Sequence, residues 1–254
     1  MQDIYFDLMA EMDFTKHLGG MQATQALIDH CHIDEHSTVL DVGCGVGVTP
    51  GLIARRYGCR VVGIDQHAGM MARARERARR QGVADRVTFQ VADVRALPFA
   101  ANTFDAVIGE SVLAFVPVKR TALDACTRVA RPGGCVGFTE ALWLQDPTPE
   151  QQALLAQTFD GMITLLTAEG WEALWVDAGL EEIIAERHTI TMRSEAVNQL
   201  KRAGCRHIAR TWWKVLAMLI TKTKYWTLVK KASSDPKAML EAWGYGVFVG
   251  KKTE

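Results

Sequence analysis

Val39-Leu40-Asp41-Val42-Gly43-Cys44-Gly45-Val46-Gly47 is the stretch on which the fold turns. An apolar run of strand length ends in three glycines at alternate positions. A helical pattern then opens at Thr49. Glycines at such a junction let the backbone come close to a ligand and leave amide donors free at a helix N-terminus.

The pattern repeats outward from that junction. Apolar strand-length runs at 38–42, 60–64, 87–91, 104–109 and 135–142 alternate with helical stretches at 49–57, 68–81 and 119–130. Strand and helix in alternation predict a parallel sheet with right-handed crossovers. The runs are nearly all apolar, as strands covered on both faces require. Arg131-Pro132-Gly133-Gly134 reads as a turn before the fifth strand. Further on, helices are expected at 150–167 and 171–178, a sixth strand at 182–192 and a seventh at 245–250. Upstream, residues 4–31 read as helical with a break at Leu18-Gly19-Gly20.

The chain has 254 residues, 48% of them hydrophobic and 23% charged, which fits a globular protein and excludes a disordered or fibrous one. Its formal net charge is zero, but unevenly so. Residues 1–194 carry 17 Lys and Arg against 25 Asp and Glu, while residues 195–254 carry 12 against 4. That excludes a uniformly basic nucleic-acid binder. Six cysteines without C-x-x-C spacing read as reduced thiols, which places the protein in the cytoplasm. The acidic N-terminus does not read as a signal peptide, and residues 212–220 are too short and too charged to span a bilayer.

The second strand closes on Val61-Val62-Gly63-Ile64-Asp65. An acid there, about twenty residues past the glycine turn, can accept both hydroxyls of an adenosine ribose. A nicotinamide dinucleotide site prefers G-x-G-x-x-G, whereas the glycines here give G-x-G-x-G. Asp41 would also repel a pyrophosphate, and it suits the cationic amino group of a methionine moiety instead. After the third strand, Asp93 can accept from an adenine amino group.

With these pieces together, the sequence resembles the class I S-adenosylmethionine-dependent methyltransferases. It is most similar to the branch that modifies small molecules, including quinone, sterol and tocopherol methyltransferases. VLDVGCGVG (39–47), VVGID (61–65), FQVADVRALPF (89–99), FDAVIGES (104–111) and RVARPGG (128–134) stand in that family's order and spacing. The resemblance implies an α/β, Rossmann-like seven-stranded sheet with an N-terminal helical lid. The chain is expected to form a single domain built from N-terminal helices (1–36), a cofactor-binding core (37–142), later helices and strand six (143–194), a basic helical cap (195–244) that departs from the family pattern, and a last strand (245–254). The cofactor would be S-adenosyl-L-methionine, held by Asp41, Gly43, Cys44 and Gly45 at the methionine part and by Asp65 at the ribose. Gln66 and Met70 would lie along the adenosine, with Asp93 and Val94 at the adenine. Glu110 and Ser111 would sit nearest the reacting methyl.

A sulfonium methyl is already activated, so catalysis needs alignment and desolvation above all. Where a base is needed, the candidates are Glu110, His17 and Glu140; Glu110 also reads as a contact to the cofactor's amino group. His30, Cys31, His32 and His36 cluster in sequence, but no metal site is expected. The acceptor is expected to be a small hydrophobic or aromatic molecule. A catalytically silent cofactor-binding partner protein, or other chemistry on the same fold, is the alternative.

Family members usually join the sixth and seventh strands by a short hairpin; here about fifty residues intervene, carrying Trp212, Trp213, Tyr225, Trp226 and ten Lys or Arg. A solvated helical cap, a peripheral membrane contact and a homodimer surface stay open as readings. Nucleic acid is the weaker one, since no RNA-binding module accompanies the aromatics.

Overall fold

The computed structural model describes residues 5–7, 18–190 and 242–253. Helix α1 (Gly20–His30) precedes a regular alternation: β1 (Thr38–Val42), α2 (Val48–Tyr57), β2 (Arg60–Asp65), α3 (Ala68–Gln81), β3 (Val87–Val91), β4 (Phe104–Glu110), α4 (Lys119–Val129) and β5 (Ala130–Trp143). Then come α5 (Pro149–Phe159), β6 (Leu166–Thr167), α6 (Ala168–Asp177), β7 (Leu180–Thr189) and β8 (Trp243–Lys252). The sheet order is β3-β2-β1-β4-β5-β8-β7, with the two-residue β6 beside β5. Strands β1 to β5 pair in parallel, and β8 runs antiparallel between β5 and β7. The strand order reverses at β1, where an open α/β sheet forms its ligand crevice.

The central strands β1, β4 and β5 are largely apolar because both faces are covered. On one face Leu27 and Ile28 of α1, Ile53 of α2 and Met71, Ala74 and Ala78 of α3 pack on Val39, Val61, Ala106 and Ile108. On the other, Leu123 and Cys126 of α4 and Trp171 and Trp175 of α6 pack on Leu40, Val42, Val107, Val136 and Phe138. The two indoles are fully buried, and their N–H groups donate to Ala141 O (3.0 Å) and Val136 O (3.2 Å). A buried indole donor thus finds an acceptor, as it must.

Helix ends follow local chemistry. Gly58 and Gly82 close α2 and α3 in left-handed conformation, where glycine carries no Cβ penalty. Thr148 and Gln151 form a reciprocal capping box at α5, with Pro149 in its first turn.

Three sequence expectations need correction. The helix expected over 150–167 stops at Phe159, because Asp160 and Gly161 both turn left-handed. The segment beyond it extends to pair Leu166–Thr167 with β5, so the sheet holds an eighth, short strand. Arg131 to Gly134 is a bulge within β5 rather than a separate turn: pairing to β4 skips from Ala130 to Cys135. Helix α1 ends at His30 and His32 is left-handed, so His32 and His36 share no helical face. Among the described residues no group of three potential ligands could hold a metal.

Of the segment expected to form an N-terminal lid, residues 5–7 are described and are helical. The basic cap at 195–244 lies outside the described residues but for its last three. No described helix is long and apolar enough to cross a membrane.

Candidate active site

Residues two apart on a strand face the same way. Asp41 therefore follows Val39, Asp65 follows Val61 and Gly63, and Glu110 follows Ala106 and Ile108, all on the face covered by α1 to α3. Three carboxylates thus close three adjacent strands, β2, β1 and β4, on one side of the switch point.

Each is held differently. Asp65 accepts from the Gly45 amide (3.1 Å) and the His67 amide (2.9 Å), so it fixes the glycine turn and the entry to α3. Burial still pushes its carboxyl above the ordinary range. Glu110 accepts from the hydroxyls of Thr24 on α1 (2.7 Å) and Thr49 on α2 (2.6 Å). Asp41 is 2% exposed, and its Oδ2 has no hydrogen-bond partner. Burial first, then Glu110 and Asp65, raise its pKa well above the ordinary value. A buried carboxylate oxygen without a donor, flanked by two more acids, is a site made for a cation.

The turn between them is built for close approach. Gly43, Gly45 and Gly47 all have positive φ, at 65°, 52° and 76°. A Cβ on Gly43 would overlap Val112 Cγ2, and one on Gly47 would lie 2.9 Å from Ala74 Cβ. Cys44 is buried beneath the turn, its thiol pKa raised by burial and by Asp41 and Asp65.

The adenosine side is more open. Gln66 is exposed, and its side chain adds a small downward pull on the Asp93 carboxyl. Asp93 also takes a two-pronged ion pair from Arg95 (2.6 to 3.1 Å), which holds its carboxyl below the usual range. Met70 and Val94 are each 5% exposed and belong to the two core clusters.

His67 escaped the sequence reading. Its Nδ1 accepts from the Met70 amide (3.3 Å) and caps α3. The proton then sits on Nε2, which donates to Asp7 Oδ1 (3.1 Å). The N-terminal segment is thereby tied to the residue that holds Asp65. Histidine is an uncommon helix cap, so only its place after Asp65 could have signalled this.

Ser111 follows β4, and Glu140 lies in β5. Ser111 has φ 56°, donates its amide to Thr139 O (2.7 Å), and keeps a buried hydroxyl without a partner. Glu140 does not share a face with Glu110. It follows Val136 and Phe138 and points to the α4 and α6 side, fully buried. Its Oε1 accepts from the amides of Val112 (2.8 Å) and Leu113 (2.7 Å), and Oε2 from Ala114 (3.2 Å). Burial pushes its pKa up to about 7, against the pull of those amides and of Lys119. His17 lies outside the described residues.

Aromatic side chains wall the carboxyl end of the sheet. Trp143 meets Trp243 edge-on at 5.8 Å, Phe159 lies 5.9 Å from Trp243, and Phe115 packs on Phe6 at 5.5 Å and Tyr5 at 6.3 Å.

A doubly wound sheet with an acid-flanked glycine turn at its switch point defines a class I methyltransferase fold. Residues 39–134, the core of the fold, match the family model described as methyltransferase domain, in keeping with a class I S-adenosylmethionine-dependent methyltransferase core. It is 31% identical over 168 residues to methyltransferase GfsG of Streptomyces halstedii, covering 64% of this chain and 59% of that one. The fold is shared with the [4+2]-cyclase SpnF (TM-score 0.77, 20% identity, 98% of this chain and 94% of that one). It is shared equally with phosphoethanolamine N-methyltransferase 2 of Haemonchus contortus (TM-score 0.77, 21% identity, 100% and 59%), solved with phosphomonomethylethanolamine and S-adenosylhomocysteine. The matches to the first three curated relatives span 66%, 59% and 34% of their lengths.

Proposed function

We propose that this protein transfers a methyl group from S-adenosyl-L-methionine to a small hydrophobic or aromatic acceptor. The observation that carries the reading is the partnerless buried oxygen of Asp41 between Glu110 and Asp65, beside a glycine turn with no room for a Cβ at Gly43 or Gly47. Asp41 and Glu110 would receive the cofactor's amino group, and Asp65 its ribose hydroxyls. The turn at Gly43, Cys44 and Gly45 would admit the methionine chain. Gln66, Met70, Asp93 and Val94 would border the adenosine, and Ser111 would stand beside the methyl.

When bound, the cofactor supplies an activated methyl on a sulfonium sulfur. The residues then have two tasks: to hold donor and acceptor in line, and to exclude water. Three acids around one cationic ligand serve the first. Phe115, Phe159 and Trp243 serve the second, and their apolar surface favours an aromatic acceptor. Glu110, with hydroxyl donors on both oxygens, suits binding better than proton removal. A phenolate or enolate acceptor needs no base.

Release of S-adenosylhomocysteine in the presence of phenols, reduced quinones and primary amines tests this. Turnover of the aromatic members is expected, and exclusive turnover of small polar amines would overturn the acceptor class. The [4+2]-cyclase with the same fold favours one second reading, cofactor-dependent chemistry without methyl loss. Acceptor conversion without S-adenosylhomocysteine release would establish it.

For the basic segment 195–244 we propose a peripheral contact with anionic lipid, supported by its Lys and Arg excess and its Trp and Tyr content. The protein should pellet with phosphatidylserine vesicles at low salt and be released by salt. Equal pelleting with neutral phosphatidylcholine would refute it, and a dimer in sedimentation would give the segment another use.

A further inference from the structure

We propose that Glu140 and Lys119 are positioning residues. From the face of the sheet opposite the acids they clamp the backbone of residues 112–116, and through it they fix the wall that the acceptor meets. The inference rests on the methyl-transfer reading above.

The two buried charges are spent on backbone. Glu140 takes three successive amides, at 112, 113 and 114. Lys119, 8% exposed, donates from Nζ to Leu113 O (2.9 Å), Val116 O (3.1 Å) and Thr164 Oγ1 (2.7 Å), with the Trp171 ring 5.6 Å away. Buried ionic groups are a poor way to gain stability, since apolar residues of similar volume do as well or better. What they provide here is geometry. The segment has one short 3-10 turn, Leu113–Phe115, with no side-chain cap of its own. Without Glu140 its first amides would be left buried and unmet.

The clamped segment joins three parts of the site. Val112 packs against the glycine turn at Gly43. Phe115 packs on Tyr5 and Phe6 of the N-terminal segment. Ala114 O accepts from the Thr164 amide (2.9 Å), which binds the stretch after α5. Ser111, left-handed and anchored to Thr139 O, fixes the entry. A shift of this backbone would move the acceptor wall while leaving Asp41 and Asp65 in place.

Glu140→Gln keeps the shape but turns one acceptor into a donor that faces amide donors. Lys119→Met removes the ammonium, and Thr164→Val removes only its third partner, as a mild variant if the others fail to fold. Three measurements are made on each: hydrogen exchange of the peptide covering 111–116, calorimetric affinity for S-adenosylhomocysteine, and kinetics with the fastest phenol of the panel. Faster exchange in the segment, affinity within about threefold of wild type, and an acceptor kcat/KM about fivefold lower through KM are expected. Unchanged exchange and kinetics would overturn the proposal. So would a parallel fall of affinity, kinetics and thermal stability, in Thr164→Val as well, since that marks a structural role alone. A wild type that binds S-adenosylhomocysteine but turns over no acceptor refutes the methyl-transfer reading, and the positioning role with it. In that case the exchange data still show whether the clamp exists.

Discussion

Asp65→Ala should weaken S-adenosylmethionine binding at least tenfold, about 1.4 kcal/mol, without lowering the stability of the ligand-free protein. The loss has two sources. Hydrogen bonds from ligand hydroxyls to an ionised carboxylate contribute roughly 1.5–3 kcal/mol, and the ribose would lose its acceptor. The turn also loses an anchor, because Gly45 and His67 both donate to this side chain. Stability should not fall in step. Asp65 sits in a place that penalises its charge, and it raises the pKa of Asp41 as well. Removing it relieves one repulsion in the empty site, which offsets the lost amide contacts. Calorimetric titration paired with thermal melts therefore separates a binding role from a folding role. Unchanged affinity would refute the placement of the ribose. Asp65→Asn, which keeps the Oδ1 acceptor but not the charge, should fall between the two.

The same strands show how far the sequence could be read. Val39, Val61 and Ala106 announce one face, and counting in twos from them reaches Asp41, Asp65 and Glu110. The convergence of the three acids is thus written in period-two spacing. Glu140 obeys the same rule and points the other way, two and four residues past Phe138 and Val136. Taken only as an acid ending a strand, it joins Glu110 as a candidate base; its parity separates them. Lys119 carried no such signal. A lysine opening a helix opposes the helix dipole and reads as solvent-exposed. Its burial depends on carbonyls at 113 and 116 and on Thr164, forty-five residues away, which only the folded chain brings together. Elsewhere local signals were present but overridden. Arg131-Pro132-Gly133-Gly134 has the composition of a turn, yet pairing with β4 on both sides of it makes it a bulge. Asp160-Gly161 stood inside an expected helix and ended it, as left-handed residues do.

Gly43→Ala should be the most damaging change to the site, lowering S-adenosylmethionine affinity about a hundredfold or more while costing the fold about 1–3 kcal/mol. Two penalties fall on one methyl group. The first is conformational: at φ 65° an L-residue is disfavoured by roughly 1 kcal/mol. The second is steric, since the new Cβ would overlap Val112 Cγ2 and stand 3.1 Å from Cγ1. Val112 cannot simply withdraw, because Glu140 holds its amide. The turn must move instead, and it carries the amide that Asp65 binds. A second substitution divides the two penalties. Val112→Ala in the Gly43→Ala background removes the overlap but not the backbone strain, so it should recover part of the affinity and not all of it. Full recovery would mean that the left-handed conformation matters little to binding. No recovery would mean that strain, or contact of the methyl with the ligand itself, outweighs the overlap. Gly43→Ala that binds like wild type would show that the ligand does not approach this turn.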